Sequence, residues 1–368
     1  MIDLLSLTLP ELESWLVERG EARFRARQLS HWLYRGLEDD IQRMPTLPGS
    51  LRETLAEQAM VGGLKLRREQ VSKDGRTRKL LLELSDGRLI ESVLMLFAAT
   101  GESRARATAC VSTQVGCALG CTFCATGQMG FERHLSAGEI VGQVLYIARE
   151  LRRQPWAAPD GQVIDHLTNL VLMGMGEPLH NYDQTLKALH ILNSPEGFGL
   201  GARHMTISTA GLVPGILRLS EEPLQVNLAI SLHAPNNEMR SQTMPVARKY
   251  ALDELLEACR AYVQRTHRQV TFEYVLLAGV NDAPEHAREL GERLADFRQL
   301  AHVNLIPVNV TSAGYHPPGG EVIRAFREEL RRAGISNSVR AERGDDIAAA
   351  CGQLKTKEGA RRQVLARP

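Results

Sequence analysis

Apolar residues recur every three or four positions over the first sixty residues, which is the spacing of one face of an α-helix. The pattern predicts three helices: the first has apolar positions at Leu12, Trp15 and Leu16, the second at Leu29, Trp32 and Leu33, and a third short helix spans Leu51 to Met60. Thr8 and Glu11 have the spacing of a capping box and mark the start of the first helix. Aromatic side chains at helical spacing more often fill a core than stack on RNA bases, so we assign Trp15 and Trp32 to the core.

The next stretch of the chain changes to the spacing of short strands joined by tight turns. Asp-Gly pairs at 74–75 and 86–87 are typical of β-hairpin turns, and they flank a predicted strand at 77–84. Another strand is predicted to begin at Glu91, and positions 97–106 are predicted to form a small, polar loop. This part of the chain therefore indicates a small antiparallel unit.

The remainder alternates predicted strands and helices, which indicates a parallel sheet. The predicted strands are 107–115, 169–173, 205–209, 226–232, 270–276 and 302–308, with a further short one at 336–340. Ser136 and Glu139 are predicted to cap one of the intervening helices, and another is predicted at 252–266. Six βα units are too few for a closed eight-stranded barrel. The predicted fold class is therefore α/β, a partial (βα)6 barrel with an open mouth.

These patterns divide the chain into four regions. A helical accessory domain is predicted at 1–62, a small antiparallel β extension at 63–100, the partial barrel with its C-terminal segment at 101–354, and a basic tail at 355–368.

Composition and charge narrow the class of protein. Hydrophobic residues make up 43% of the chain and charged residues 24%, which excludes global disorder. The net charge is only +1, yet basic residues gather at 19–35, at 65–79 and after Cys351. Such patches suit an anionic polymer, although solvated faces of ordinary elements explain them equally well. No apolar run approaches the ~20 residues that cross a bilayer, and the first residues lack a secretory layout, so we expect a cytoplasmic protein with no membrane partner.

The cysteines point to a metal centre. There are six, at Cys110, Cys117, Cys121, Cys124, Cys259 and Cys351. In a reducing cytosol, clustered cysteines more often bind metal or catalyse than form a disulfide framework. Cys117, Cys121 and Cys124 have the spacing C-x₃-C-x₂-C, but a structural zinc ion would need a fourth ligand, and only Cys110 or His134 is available. Three thiolates on a [4Fe–4S] cluster leave one iron open for the amino and carboxylate groups of a methionine-type ligand, which favours the cluster over zinc.

This cysteine segment, Cys117-Ala-Leu-Gly-Cys121-Thr-Phe-Cys124, resembles that of the radical S-adenosylmethionine superfamily. Within it, residues 106–131 are similar to the RNA adenine C2 methyltransferases that modify 23S ribosomal RNA and, in some members, tRNA. Four further segments match that family in order: Met173-Gly-Met-Gly-Glu-Pro178, Ser231-Leu-His-Ala-Pro235, Asn304-Leu-Ile-Pro-Val-Asn309 and Arg343-Gly-Asp-Asp-Ile-Ala-Ala-Ala-Cys351-Gly-Gln-Leu354. The resemblance runs from roughly Leu7 to Leu354, nearly the whole chain.

The resemblance implies a radical reaction with a methyl group carried on the protein. One S-adenosylmethionine would methylate Cys351, and a second would be cleaved at the cluster, on Cys117, Cys121 and Cys124, to a radical that removes hydrogen from that S-methyl group. The methylene radical would then attack C2 of adenine, leaving protein and RNA joined. Glu91 matches the family's base for the C2 proton. Cys110 matches its resolving cysteine, which forms a transient disulfide with Cys351.

The resemblance also implies a cofactor pocket. Its expected residues are Gly176, Glu177, Ser208, Ser231, Leu232, His233 and Asn309. Gly176 and Glu177 follow a predicted strand at its C-terminal end, where ligands bind in barrels. Glycine permits close backbone approach, and the Glu177 carboxylate can accept hydrogen bonds from the ligand's ammonium group. Ala118-Leu119 and Pro178 look like the branch of the family that methylates C2 rather than C8.

The implied partners are 23S ribosomal RNA, with tRNA as a second candidate, and an electron donor such as flavodoxin or ferredoxin, for a protein that acts as a monomer. The basic residues expected to hold the RNA are Arg67, Arg68, Arg76 and Lys79. Two alternatives stay open: a radical S-adenosylmethionine enzyme acting on a small molecule or protein, and a zinc-stabilised RNA-binding protein. The first has no need of Cys110 and Cys351 together. Cys259 matches no functional position and is assigned to the core.

Overall fold

The computed structural model describes residues 1–101, 103–297, 299–309, 314–340 and 343–356, so the predicted basic tail lies outside the described residues from 357 onward. Its α-helices are α1 Leu9–Val17, α2 Phe24–Ser30, α3 Gly49–Gln58, α4 Ala137–Arg153, α5 Tyr182–Asn193, α6 Val213–Leu219, α7 Asn237–Thr243, α8 Leu252–Thr266, α9 Pro284–Arg293 and α10 Gly320–Arg332. Its strands are β1 Ile2–Asp3, β2 Ala59–Met60, β3 Lys65–Val71, β4 Thr77–Glu83, β5 Leu89–Phe97, β6 Arg106–Cys110, β7 Gln114–Gly116, β8 Phe131–His134, β9 Trp156–Ala157, β10 Val163–Ile164, β11 Asn169–Leu172, β12 Met205–Thr209, β13 Asn227–Ser231, β14 Val270–Leu276, β15 Ala301–Pro307 and β16 Ser336–Val339. None of the described helices is long and apolar enough to cross a membrane.

One open sheet of ten strands organises the chain, in the order β16-β15-β14-β13-β12-β11-β6-β5-β4-β3. The strands from β6 to β16 in this sheet run parallel, with helices between them, as a βα barrel requires. The strands β3, β4 and β5 are antiparallel and extend the sheet beyond β6. Because β16 and β3 do not pair with each other in the described part of the chain, the barrel stays open, and the predicted α/β partial-barrel fold is confirmed.

The strand predicted at 107–115 is two strands in the structure, β6 and β7. Up to Val111 the backbone stays in register with β11, where the Val111 amide donates to the Val171 carbonyl over 3.1 Å. At Ser112 the chain leaves that ladder, because the Ser112 hydroxyl donates to the Glu91 carbonyl (2.6 Å) and accepts from the Met175 amide (2.9 Å). The bend redirects β7 away from the sheet and starts the cysteine loop above the barrel's interior.

The N-terminal helices pack against the barrel through α4. Trp15 is buried in the core, as predicted, whereas Trp32 is only partly buried and donates its indole N–H to the Thr46 hydroxyl over 2.7 Å. The contact with α4 is close, since a Cβ at Gly138 would lie 2.0 Å from a carboxylate oxygen of Asp3. A larger residue at this position would push the helical domain away from the barrel.

Residues 343–356, here named the C-terminal segment, lie across the gap between the two sheet edges. Lys73 donates its amide to the Asp346 carboxylate (2.8 Å), and the Lys79 ammonium donates to the Ala348 carbonyl (3.1 Å). Further along, the Lys355 amide donates to a carboxylate oxygen of Glu91 over 2.8 Å. The segment therefore follows β4 and β5 and brings Cys351 into the barrel.

Candidate active site

The cysteine loop is shaped by the hairpin of β7 and β8. Gly116 has a φ of +72°, and a Cβ there would lie 1.9 Å from the Gly130 carbonyl oxygen, so only glycine fits. The Cys117 amide donates to that same carbonyl over 2.8 Å, and the Cys124 amide donates to the Cys121 carbonyl over 3.2 Å. These contacts fold the loop back on itself, and the side chains of Cys117, Cys121 and Cys124 line one cavity.

The three thiols suit a cationic cluster. Burial, with a smaller effect of nearby Glu177 and Cys124, raises the pKa of the Cys117 thiol to about 12, and burial and the neighbouring thiols also raise the pKa of Cys121. Without a metal these thiols stay protonated at neutral pH, whereas a bound metal centre deprotonates its thiol ligands outright. Among the described residues no group of three or more His, Cys, Asp or Glu side chains is arranged to hold a single metal ion. Three thiolates would leave one iron of a [4Fe–4S] cluster open to a further ligand, whereas a structural zinc ion needs a fourth protein ligand.

The same cavity contains most of the residues expected in the cofactor pocket. Gly176, Glu177, Ser208, Ser231, His233 and Asn309 line it together with the cysteines. Leu232 does not, because its side chain is buried in the main hydrophobic core and only its backbone follows β13 to the barrel's upper end. The place of Leu232 in the cofactor pocket stays a prediction.

Glu177 is a buried carboxylate in the lining of the cofactor cavity. Its oxygens accept from the Ala210 amide (2.8 Å) and the Leu179 amide (3.0 Å), and burial outweighs these bonds and raises its pKa to about 7. Gly176 has a φ of +103°, and a Cβ there would lie 2.6 Å from the Gln114 side chain, so glycine lets the loop after β11 approach β7. An ammonium group in the cavity would restore Glu177 to its ionised form.

His233 supports the cavity wall in its neutral form. Its Nδ1 accepts from the Val275 amide over 3.0 Å, and burial followed by nearby Arg240 lowers its pKa to about 3. Its φ of +60° is uncommon for a side-chain-bearing residue and turns the ring towards Phe123 of the cysteine loop, 5.0 Å away and edge-on. The imidazole thus fastens β14 and lines the cavity.

Arg240 is a site residue that the sequence analysis missed. It is fully buried on α7 and donates to the Ala210 carbonyl (2.6 Å) and the Leu232 carbonyl (3.2 Å). Burial lowers the pKa of its guanidinium to about 10. Because Ala210 and Leu232 follow β12 and β13, Arg240 fixes the ends of two strands that wall the cavity.

Cys110 and Cys351 meet on a second, larger cavity of about 1030 Å³ that fills the barrel below the first. Both thiols are free, and burial followed by the nearby Cys351 raises the pKa of Cys110 to about 12. Asn309 donates its amide to the Cys351 carbonyl over 3.1 Å, while its side-chain oxygen is buried without a partner among the described residues. Cys351 and Asn309 also line the upper cavity, so they lie at the junction of the two.

Arg340 and Glu273 line both cavities beside Cys351, and the sequence analysis assigned neither. The nearby Cys351, Glu273 and Cys110 together raise the pKa of Arg340, which holds a cation next to both thiols. The only sequence signal was the end of the predicted strand at 336–340. Cys259 is buried in the core on α8, as expected.

Glu91 lines neither cavity. Its two oxygens are taken by the Lys355 amide (2.8 Å) and the Lys79 ammonium (3.4 Å), and only 1% of its side chain is exposed. Burial raises its pKa, against the opposing effect of Lys79. The structure therefore places the C-terminal segment between the predicted base and the cavity that holds Cys110 and Cys351.

The basic residues expected to bind RNA differ in whether a carboxylate of the protein already neutralises their charge. Lys79 points inward to Glu91, and Arg67 is paired with Glu83, whereas Arg76 forms no ion pair among the described residues. The patch predicted from the sequence is thus only partly available to an anion.

Comparison with known proteins gives two family matches. A family model described as the radical SAM superfamily matches residues 111–291, and one described as the ribosomal RNA large subunit methyltransferase N-terminal domain matches residues 2–61. The chain is 47% identical to the probable dual-specificity RNA methyltransferase RlmN of Alkaliphilus oremlandii, covering 97% of this chain and 98% of that protein. It is also 47% identical to the ribosomal RNA large subunit methyltransferase N of Nitrosopumilus maritimus, covering 97% and 99%. The crystal structure of a radical SAM methyltransferase from Sphaerobacter thermophilus is similar with a TM-score of 0.90 and 49% identity over 96% of this chain and 99% of that one.

Proposed function

The chain belongs to the RlmN family of radical S-adenosylmethionine RNA methyltransferases, and from this premise we propose that it methylates C2 of an adenine in 23S ribosomal RNA, with tRNA as a second candidate substrate. Membership makes it an enzyme that uses a [4Fe–4S] cluster and S-adenosylmethionine. It also argues against the zinc-stabilised RNA-binding protein and the small-molecule enzyme. The names of the two relatives, a dual-specificity RNA methyltransferase and a ribosomal RNA large subunit methyltransferase, support the choice of RNA.

The observation that carries the proposal is the junction of the two cavities at Cys351. The upper cavity has the three cluster cysteines and Glu177, and the lower has Cys110. A methyl group on the Cys351 sulfur would lie between the cofactor and the only other thiol on the lower cavity's described lining. Choice of C2 over C8 rests on the resemblance at Ala118-Leu119 and Pro178.

Different residues of the chain would bind the cluster and S-adenosylmethionine. Cys117, Cys121 and Cys124 would ligate the cluster, the Glu177 carboxylate would hold the ammonium group of S-adenosylmethionine, and the free side-chain oxygen of Asn309 would accept one of its donors. When bound, these cofactors supply a carbon radical able to remove a hydrogen atom from an unactivated methyl group. Radical chemistry is required because C2 of adenine is not nucleophilic.

Three side chains would then carry the methyl group and release the product. Cys351 bears the methyl group and becomes bonded through its carbon to C2, and Glu91 accepts the C2 proton. The Cys110 thiolate attacks the Cys351 sulfur, so that an S–S bond forms and the carbon–sulfur bond breaks. The freed carbon takes up a proton, and the one electron left over from the radical addition would return to the oxidised cluster. Arg340, beside both thiols, stabilises the attacking thiolate.

We place this reaction in the cytoplasm, where thiols stay reduced, and in a monomer supplied with electrons by a flavodoxin or ferredoxin. The chain provides all the residues named above without a second copy.

The test is the mass of the tryptic peptide Gly344 to Lys355 from protein expressed and purified without oxygen. We expect the peptide to gain a mass of about one methylene unit on Cys351, because the methyl group is transferred to that sulfur before RNA binds. The control is Cys351→Ala, which should keep its iron and transfer no methyl group to RNA. An unmodified peptide from protein with full cluster and supplied S-adenosylmethionine, or C2-methyladenine made by Cys351→Ala, would contradict the proposal.

A further inference from the structure

The lower cavity opens at the end of the barrel where the parallel strands begin. Its rim carries Arg106 at the start of β6, Asn169 at the start of β11, Asn227 at the start of β13, and Arg268 just before β14. The opposite end of the barrel is occupied by the cysteine loop and the cofactor cavity. A large substrate that must reach Cys351 therefore enters through the lower mouth.

Two arginines at one side of this mouth lie over the Phe97 ring, and a third is their neighbour on the adjacent strand end. The Arg106 guanidinium lies 4.2 Å and the Arg343 guanidinium 4.5 Å from the centre of the Phe97 ring. Arg343 also donates to the Leu96 carbonyl over 3.3 Å, while its Nε is buried with no partner among the described residues. Arg76 lies next to this pair, because its carbonyl accepts from the Leu96 amide over 2.8 Å.

The charges of these three residues, here named the arginine cluster, are not neutralised within the described chain. Burial, then the charge of Arg76, and less strongly that of Arg106, lower the pKa of Arg343, and Asp74 opposes this only in part. The neighbouring basic residues of the hairpin are different, since Arg78 is paired with Glu69 at 2.5 Å. None of the three arginines of the cluster forms an ion pair in the ranges the structure covers.

Like charges held together without counter-ions are stabilised by an incoming anion. Arginine suits phosphate especially, because its planar donors match the phosphate oxygens. A cavity of about 1030 Å³ directly inside the cluster has room for a nucleotide. A strand of RNA that puts one base into this cavity must keep its flanking phosphates at the mouth.

We propose that the arginine cluster of Arg76, Arg106 and Arg343 binds the backbone phosphates that flank the target nucleotide of the RNA substrate. This inference rests on the proposed function and adds the place and direction of RNA entry. It moves the RNA-binding surface from the outer face of the hairpin to the lower mouth. Phe97 is a positioning residue that holds two of the guanidinium groups by its ring.

The experiment measures binding of a 23S ribosomal RNA transcript, at several salt concentrations, to the cluster-loaded protein. The variants are Arg76→Gln, Arg106→Gln and Arg343→Gln, singly and together. Each single change should weaken binding on the order of tenfold at low salt, and the triple change should lower the slope of log affinity against log salt by about 2. The matched control is Arg331→Gln, an exposed arginine of α10 beside Glu328, which should change neither quantity.

Two further measurements keep the outcomes distinct. Arg106→Lys keeps the charge and should keep the salt slope; if it loses the slope as Arg106→Gln does, charge is not the cause and the proposal is overturned. An unchanged affinity and slope in the triple variant also overturns it. Methylation of Cys351 in the wild-type protein is followed in parallel, and its absence would count against the proposed function rather than against the arginine cluster.

Discussion

Lys79 is the cation on which the ionisation of Glu91 depends. The Lys79 ammonium lies 3.4 Å from one Glu91 oxygen, and the two side chains are 8% and 1% exposed. Changing Lys79 to Met removes the cation and leaves the carboxylate in the same buried position. Because burial already raises the pKa of Glu91 and Lys79 opposes that rise, the pKa of Glu91 should rise further in Lys79→Met.

The size of the expected loss of stability follows from the burial of the Lys79–Glu91 ion pair. Removing one partner of a buried ion pair costs about 3–5 kcal/mol, whereas an exposed pair contributes at most about 1 kcal/mol. A carboxyl group with a raised pKa gives stability that is present in acid and is lost as pH rises through the folded pKa. Lys79→Met should therefore unfold more easily as pH rises from the ordinary glutamate value of 4.5, and the double variant with Glu91→Gln should recover most of the loss.

The assay is the rate at which the covalent protein–RNA adduct resolves, measured over a single turnover from about pH 6 to 9. If Glu91 is the base, Lys79→Met should resolve the adduct up to about 100-fold more slowly at neutral pH and recover as pH rises, because only ionised Glu91 accepts the C2 proton. Lys79→Arg keeps the charge and should resemble the wild type. The matched control is Arg78→Met on the same strand, whose partner Glu69 is more exposed.

Resolution by Lys79→Met at the wild-type rate across this pH range would refute the assignment of Glu91 as the base. A loss of rate that does not recover at high pH would show that Lys79 acts through the position of the C-terminal segment, since its ammonium also donates to the Ala348 carbonyl.

Two further predictions concern the cysteines. Gly116→Ala should lose most of its iron, because the new Cβ would lie 1.9 Å from the Gly130 carbonyl; Gly75→Ala, with a similar φ of +69° and nothing within 4 Å, should keep it, and equal iron in both would contradict the geometry of the cysteine loop. Cys110→Ala should accumulate a covalent protein–RNA adduct on denaturing gels, because the thiolate that attacks the Cys351 sulfur is missing. Free methylated RNA released at the normal rate would argue against that role for Cys110.

The sheet could be predicted from the sequence because its signals are local. Turn residues such as Asp74 and Gly75 mark the hairpin, and short apolar runs mark the parallel strands; the structure confirms both. The break between β6 and β7 could not be found in this way. It depends on the Ser112 hydroxyl, which bonds to residues 21 and 63 positions away along the chain.

The residues of the candidate site differ in the same way: some belong to local sequence motifs and others do not. The cysteine spacing and the glycine and glutamate after β11 are contiguous motifs, so resemblance could locate them. Arg240 contacts the Ala210 carbonyl, 30 positions away along the chain, and Arg340 lies beside the Cys110 thiol on the far side of the sequence; nothing in their neighbours marks them as site residues. The Lys355 amide donates to Glu91 from 264 positions away along the chain, and no local sequence pattern predicts such a contact.

The C-terminal segment connects the parts of the site that the sequence keeps apart. Its Gly352 carbonyl accepts from the Ala125 amide (2.7 Å), and its Leu354 carbonyl accepts from the Thr126 hydroxyl (2.7 Å), so it is fastened to the cysteine loop on one side. On the other side it covers Glu91, and its first described residue, Arg343, belongs to the arginine cluster. If the cluster binds phosphate, RNA therefore contacts the same segment that carries Cys351 and shields the predicted base.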